Sequence, residues 1–521
     1  MMRVKTGHCV DPVATLPANR TASTTLAGAG ARKVIGAKAF EALPSRDEAA
    51  SEGSIHIVGD LILAAHRAVG RQITRAFLVA TALAVLGLPS VARAECELTE
   101  PDVAHGAMGI PEDVIVPIDV FGVRRGLARH GIEFGGVYYG EAFANSGGFN
   151  QGGKYDGVLE LYVKADMHKL GFWKGLCFHA DGYQIHGQSI TGDNIGSLMP
   201  VSNLEALPAT RLFELWLEQH LFNDKLAVKV GQLAADAEFV ISEGGGFFLN
   251  GTWGWPSITA ADLPGGGPAY PLATPGVRVA ITPNDATSLM IGVYNGNPAG
   301  DCEGDPQVCN KNGLDFNLDV PALLMIEGAY TYNPDGLRGI IKIGGWNHFD
   351  TFEDQFVDIG GNLIAETGQP GRPIDNNWGL YGIIDQLIWR VPGSEDPKGV
   401  GVFARVIGAP QDQNLIDFYV DGGITLSGMF RRRPDDAIAF GIAYTGISDR
   451  VTAFDVSAGE PVARNYEMLL EICYTMQLMP GWTLQPDFQY IWQPGGNVPD
   501  EDGSGAVADA AVFGARTAIS F

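Results

Sequence analysis

The 521-residue chain has little of several things that would fix its class quickly. Its one signal-like apolar run, Ala76–Leu88, has only thirteen residues, short of the roughly 20 that cross ~30 Å of hydrocarbon as a helix. No later window reads as a membrane helix. Basic residues are scarce: 35 Lys and Arg face 60 Asp and Glu, a net charge of −25. Nucleic acid, whose phosphates require a positive footprint, is excluded as a partner. No CxxC, HExxH or comparable ligand spacing occurs and the ten His are scattered, so neither metal nor cofactor is expected. A nucleophile elbow and a phosphate-cradling glycine loop are absent too.

Methionine is missing between Met2 and Met108. Residues 1–70 lack periodicity and read as an N-terminal extension ahead of the functional start. Residues 71–94 then form a signal peptide: Arg71 and Arg75, the apolar run, and Ala92-Arg93-Ala94 as the small-x-small cleavage site. The chain is therefore exported, with a short periplasmic segment expected over 95–130. Removing residues 1–94 takes away 11 basic and 6 acidic residues. What remains is 24 against 54, a net charge near −30 over 427 residues.

The carboxyl terminus supplies the fold signal. Phe513, Ala515, Thr517, Ile519 and Phe521 alternate with Gly514, Arg516, Ala518 and Ser520, the period-two pattern of a half-exposed strand. Sixteen such segments follow one another, beginning near Gly131, Tyr155, Gly175, Thr210, Lys225, Pro275, Thr287, Ala322, Leu337, Trp378, Gly399, Asp417, Ala437, Tyr466, Thr483 and Ala508. Several have one apolar and one polar face. In Leu159–Asp166, Leu159, Leu161 and Val163 alternate with Glu160, Tyr162 and Lys164. Such faces suit a barrel with lipid outside and a polar interior, the inverse of a soluble one. The facing of Trp378–Arg390 stays open, with Ile and Leu on both sides.

Connections sort by length from the second strand onward. Phe222–Asp224, Pro283–Ala286, Asn333–Gly336, Arg431–Asp436 and Met479–Gly481 are short. Leu233–Thr274, Gly296–Pro321, Asp350–Asn377, Ser448–Asn465 and Pro494–Val507 are long. Short periplasmic turns and long outer loops characterise membrane barrels. The fold class expected over 131–521 is an all-β, 16-stranded antiparallel transmembrane β-barrel of the outer membrane.

Several blocks then carry a family resemblance. They are Gly131-Ile132 with Glu141–Gly148, Arg211–Gln219, Tyr270-Pro271 with Gly276 and Arg278, Arg433-Pro434-Asp435-Asp436, and Leu484–Ile491 followed by Pro494-Gly495-Gly496. From about Gly122 to Phe521 the chain resembles the carbohydrate-selective porin (OprB-type) family. The resemblance implies an outer-membrane porin that passes sugars such as glucose by passive diffusion. A general or anion-preferring porin, or an adhesin or enzyme anchored by a barrel, is the alternative. A terminal Phe521 strand resembles the signal read by the outer-membrane assembly machinery. Lipid, lipopolysaccharide and two further copies in a homotrimer are the other partners expected. In the sixteen-stranded porins that this chain resembles, the connection after the fifth strand folds into the lumen, which makes Leu233–Thr274 the selectivity element.

Sugars are neutral, carry many hydroxyls and have apolar ring faces, so a selective pore needs charged side chains for hydroxyls and aromatics for rings. The inward positions expected to supply them are Glu160, Tyr162, Glu214, Trp216, Glu218, Lys229, Arg278, Lys342, Trp346 and Arg405, with Trp253 and Trp255 on the inward loop. Catalysis is disfavoured. Glu214 and Glu218, four apart on one strand, lie ~13 Å apart at ~3.3 Å per residue, beyond the ~5–9.5 Å of glycoside hydrolysis.

Among the six cysteines, Cys302 and Cys309 sit seven apart in one outer loop, where an oxidising compartment allows a disulfide. Cys177 and Cys473 read as small inward filler residues, and Cys9 and Cys96 receive no role. Asp301, Glu303 and Asp305 read as a solvated acidic loop rather than a Ca²⁺ site.

Overall fold

Alternation along each strand produces a closed wall. A computed structural model describes residues 123–521, apart from residues 303, 395–397, 501 and 504 and the side chain at 125. The expected extension, signal peptide and most of the 95–130 segment lie outside the described residues. A helix, α1 (Val123–Arg129), leads into the first strand. The strands are β1 (Ile132–Gly148), β2 (Gly152–Asp166), β3 (Leu176–Gly187), β4 (Ala209–Leu221), β5 (Leu226–Leu233), β6 (Thr274–Asn284), β7 (Thr287–Asn295) and β8 (Ala322–Tyr332). They continue as β9 (Gly339–Asp358), β10 (Gly371–Arg390), β11 (Gly399–Gly408), β12 (Ile416–Ser427), β13 (Ala437–Ile447), β14 (Tyr466–Met479), β15 (Trp482–Trp492) and β16 (Ala508–Ser520). Every neighbour in sequence is an antiparallel neighbour in space, and β16 pairs with β1 to close the ring.

Closure leaves the ring itself, among the described residues, without an open edge, which a membrane would not tolerate. The seam runs Val137↔Ser520 through Glu141↔Arg516 to Gly148↔Ala508. Phe521 extends it, its N–H donating to the Gly136 carbonyl at 2.9 Å while its own carbonyl accepts from the Gly136 N–H at 3.0 Å. Side chains sort as the alternation requires. On β12 Phe418 and Ile424 are exposed, whereas Tyr419, Asp421 and Thr425 are buried. On β16 Phe513 is exposed and Arg516 buried. Strand β10 resolves the facing left open by its sequence: Trp378, Leu380, Ile384 and Ile388 point outward, and Tyr381, Ile383 and Asp385 inward.

One rim carries only short links, such as 222–225, 285–286, 333–338 and 480–481; the other carries 188–208, 234–273, 296–321, 448–465 and 493–507. The expected long connection Asp350–Asn377 is corrected. Strands β9 and β10 continue their ladder through Pro373↔Glu353 to Gly371↔Asp358, leaving only 359–370 as a loop. That extension has polar residues on both faces and turn-like carboxylates. Asp354 accepts from the Phe356 and Val357 N–H groups, and Asp358 from those of Gly360 and Asn362. Without apolar alternation the strand signal disappears from the sequence.

The inner wall is not uniformly polar. Phe403, Ile407, Tyr419, Ala439, Ala443, Leu469 and Ile491 all face inward and belong to one apolar cluster.

Candidate functional site

The partner of that apolar inner wall is the connection between β5 and β6, residues 234–273, which runs through the lumen. It contributes Phe239, Val240, Phe248, Leu249, Trp253 and Ile258 to the cluster. Trp253 stacks on Phe248 with centroids 4.4 Å apart and meets Phe403 edge-on at 5.8 Å. Room for both rings comes from Gly441 on β13, where a Cβ would stand 2.6 Å from Trp253 and 2.8 Å from Phe248.

Buried charges on the wall fasten the rest of this segment, and its backbone groups pair with them in return, which lowers the penalty of burying an ion. Glu471 accepts from the Leu249 N–H at 2.6 Å and from Trp253 Nε1 at 2.6 Å. Asp385 accepts from Ser242 Oγ at 2.7 Å and the Gly244 N–H at 2.8 Å. Glu327 accepts from the Val240 N–H at 3.1 Å and from Tyr381 Oη at 2.8 Å. Arg405 donates to the carbonyls of Val240 (2.7 Å), Thr252 (2.9 Å) and Trp253 (3.1 Å) and is paired with Asp421. The segment's own helix α2 (Ser257–Asp262) docks through Ser257, whose hydroxyl bonds Thr445 Oγ1 at 2.7 Å.

Two further connections fold inward that the sequence does not single out. Residues 188–208 place the Leu198 and Met199 N–H groups on Glu467, each at 2.8 Å. Ser202 donates to Glu141 at 2.6 Å, and Arg516 reaches both Glu141 and Asn203. This segment also pairs with 234–273: the Asn203 N–H donates to the Leu249 carbonyl and the Gly251 N–H to the Pro200 carbonyl, both at 2.8 Å. Residues 296–321 contain the Cys302–Cys309 disulfide. Arg211, inward on β4, donates from Nη2 to the carbonyls of Asn310 and Lys311 at 2.9 and 3.0 Å. Cys177 is disulfide-bonded rather than a filler, whereas Cys473 is free and buried.

Opposite the apolar wall lies a charged cluster on β3–β6. The ladder aligns Glu218 with Lys229 and Lys229 with Arg278. Arg278 contacts Glu218 at 2.9 Å and Glu238 at 2.8 Å, and Lys229 contacts Glu238 at 2.7 Å. Glu238 belongs to the inward segment, so this is a second electrostatic tether. Burial alone would raise its carboxyl, but Lys229 and Arg278 hold it down at about 2. Lys229 also stands 4.3 Å from the Trp216 ring centroid, and His179 stacks on the same ring at 4.9 Å. Glu214 accepts from the Ala234 N–H at 2.9 Å, fixing the start of the segment. Glu214 and Trp216 share the inward face with Arg211 and Phe213 because a bulge opposite Asp181 shifts the β4 register.

The expected site residues divide accordingly. Glu218, Lys229 and Arg278 form one network, with Glu214 and Trp216 at its edge. Glu160 is buried on β2 with one carboxylate oxygen unpartnered, and Tyr162 is half-buried beside Lys164. Lys342 donates to the Ile241 carbonyl at 2.8 Å and lies 3.7 Å from Glu327. Trp346 is buried against Gly379. Two expectations are corrected. Trp253, 1% exposed, offers no stacking face, because it packs the segment onto the wall. Arg405 is fully enclosed by the segment's carbonyls and Asp421 and is a clamp, not a donor open to solute. Trp255 keeps part of its surface, with Nε1 on the Gly266 carbonyl at 2.9 Å.

A closed sixteen-stranded ring, apolar outside, with a long segment folded into a charged lumen, defines an outer-membrane diffusion channel of the porin class. Residues 150–521 match the family described as "Carbohydrate-selective porin, OprB family", and the chain belongs to that family. It is 25% identical to Porin B of Pseudomonas aeruginosa PAO1 over 403 residues, covering 72% of this chain and 86% of that one. It is 23% identical to the putative porin QuiX of Acinetobacter baylyi over 409 residues, covering 72% and 87%. The high-pH structure of Pseudomonas putida OprB superposes with a TM-score of 0.69 at 23% identity, covering 77% of this chain and 97% of that one. The protein is thus a sugar-selective porin of the bacterial outer membrane, and its family and fold are known as channels rather than enzymes.

Proposed function

We propose that the channel passes monosaccharides such as glucose by passive diffusion, with the 234–273 segment as the constriction and the β3–β6 cluster as the polar face past which the solute moves. The observation that carries this reading is the segment's attachment across the lumen, from Glu214 on β4 to Glu471 on β14. A lumen narrowed by so many fixed contacts discriminates by size and by hydrogen bonding, and paired carboxylate and guanidinium groups match the donor and acceptor hydroxyls of a sugar. The chain performs no catalysis in this scheme. The long-connection rim faces the medium among lipopolysaccharide headgroups, and the short-turn rim faces the periplasm. The Phe521 strand is the element read by the assembly machinery, and the working unit is a homotrimer.

Liposome swelling with glucose against an amino acid of similar size tests the reading. Faster swelling with glucose is the expected result. Equal rates would leave a general porin, and no swelling would overturn the channel.

A further inference from the structure

At the short-turn mouth, below the inward segment, the wall and the segment border a half-open cavity of about 210 Å³. Its lining is assembled from separate elements: Glu243 and Phe247 from the segment, Arg338 from the 333–338 turn, Asp385 from β10, and Thr425 and Ser427 from the end of β12. We propose that this cavity is a monosaccharide-binding subsite, separate from the β3–β6 cluster, where a solute pauses on its way through the channel. The proposal rests on the sugar-channel reading above and adds a position and a set of contacts to it.

Four observations converge. Arg338 and Glu243 form a two-pronged pair, Nη1 to Oε2 at 2.7 Å and Nη2 to Oε1 at 2.9 Å, with both side chains close to half exposed. Planar charged groups held this way keep lone pairs and N–H bonds for vicinal hydroxyls. Second, Asp385 Oδ1 is engaged by Ser242 and Gly244, but Oδ2 has no partner although the residue is 6% exposed. A buried carboxylate oxygen left unpaired is costly, and a hydroxyl of a bound sugar would satisfy it once the Asp385 side chain turns toward the cavity that it lines. Third, Phe247 is half-buried while its neighbour Phe248 is 2% exposed. Its backbone is pinned by Gln485, whose Nε2 donates to the Phe247 carbonyl at 3.1 Å, so the ring keeps free surface at a fixed position. Such a face suits the apolar side of a pyranose. Fourth, the volume is below the roughly 300 Å³ at which pockets for drug-sized ligands begin, so one ring fits and an oligosaccharide does not.

The same residues, read only as structure, would tether the segment to the wall. The two roles separate by experiment. Detergent-purified protein is placed in planar bilayers, and the half-saturating glucose concentration for block of ion current is measured for wild type, F247L, F247A and E243Q. Heat-modifiability on gels is followed in parallel as a measure of the folded barrel. Phe247→Leu keeps apolar volume and removes the aromatic face. We expect F247L and E243Q each to raise the half-saturating concentration five- to tenfold while the unfolding temperature moves little, with V456A, at an exposed position of the helix Asp449–Ala458 in the 448–465 connection, as an unaffected control. Unchanged glucose block in F247L and E243Q, with wild-type block present, overturns the subsite and leaves the sugar channel standing. Loss of heat-modifiability in F247L together with unchanged block in the surviving channels overturns it equally, in favour of a tether. Absence of glucose block in the wild type would instead remove the sugar reading itself.

Discussion

Arg405 offers the sharpest test of how the inward segment is held. The guanidinium is wholly enclosed, with four segment carbonyls and Asp421 as partners. Arg405→Met keeps most of the side-chain volume but removes every donor. Asp421 then stays buried without its cation, a loss of about 3–5 kcal/mol for one half of a buried pair, and four carbonyls lose their donor as well. The barrel does not have to unfold to relieve this, because the segment can undock locally. A penalty of that size moves the docked-to-undocked ratio by roughly 10²- to 4 × 10³-fold, at ~1.4 kcal/mol per tenfold. Single-channel recording should therefore show larger and noisier conductance in R405M, with block by glucose weakened. The double variant R405M/D421N removes the stranded charge and should recover much of the quiet, narrow state. An R405M channel with wild-type conductance, noise and stability would refute the clamp.

Four further outcomes follow from the contacts described. Trp253→Ala should cost about 3–5 kcal/mol, as for a large aromatic leaving a packed core, read as a lowered unfolding temperature; because the ring packs the segment and has no face for solute, glucose block should weaken only in step with the noisier, wider conductance of an undocked segment, as in R405M. The Glu238 carboxyl sits at about 2, below its ordinary 4.5. Its tether is fully present above 4.5 and lost as the pH falls from there through 2, so conductance noise should rise over that window in the wild type and not in E238Q. Reduction of Cys302–Cys309 should make residues 296–321 protease-sensitive and lower local stability by about 2–3 kcal/mol, with the strand ladder intact. A cysteine placed at Asp435, in the short-turn rim, should resist a membrane-impermeant thiol reagent in intact cells, and labelling there would reverse the assigned topology.

The ring was legible in the sequence because lipid outside and polar groups inside impose a period of two on nearly every strand. Where that pressure stops, legibility stops. The outer halves of β9 and β10 have polar residues on both faces and read as loop. The lumen was harder. Glu214, Glu218, Lys229 and Arg278 were found because they are charged residues on an inward face, and the ladder brings them together. Trp253 and Arg405 were found in the same way, yet they serve as packing and clamp. An aromatic or an arginine facing a lumen looks alike in sequence whether its partner is a solute or another segment. The signal that separates the two lies on the opposite wall. Phe403, Ile407, Ala439, Ala443 and Leu469 are inward positions with apolar side chains, which water in an open pore would not favour. They mark the wall that a segment covers. Residues 188–208 share that apolar wall through Ile195, Met199 and Val201, but the contacts that fix their path, backbone N–H groups on Glu467 and Ser202 on Glu141, leave no such signal. A carboxylate spaced along an inner face as if to meet solute can equally be the acceptor for a neighbouring loop. Buried acids on the β14 wall therefore anchor segments, and the half-exposed pair of Glu243 and Arg338 is where the same chemistry stays open to a passing hydroxyl.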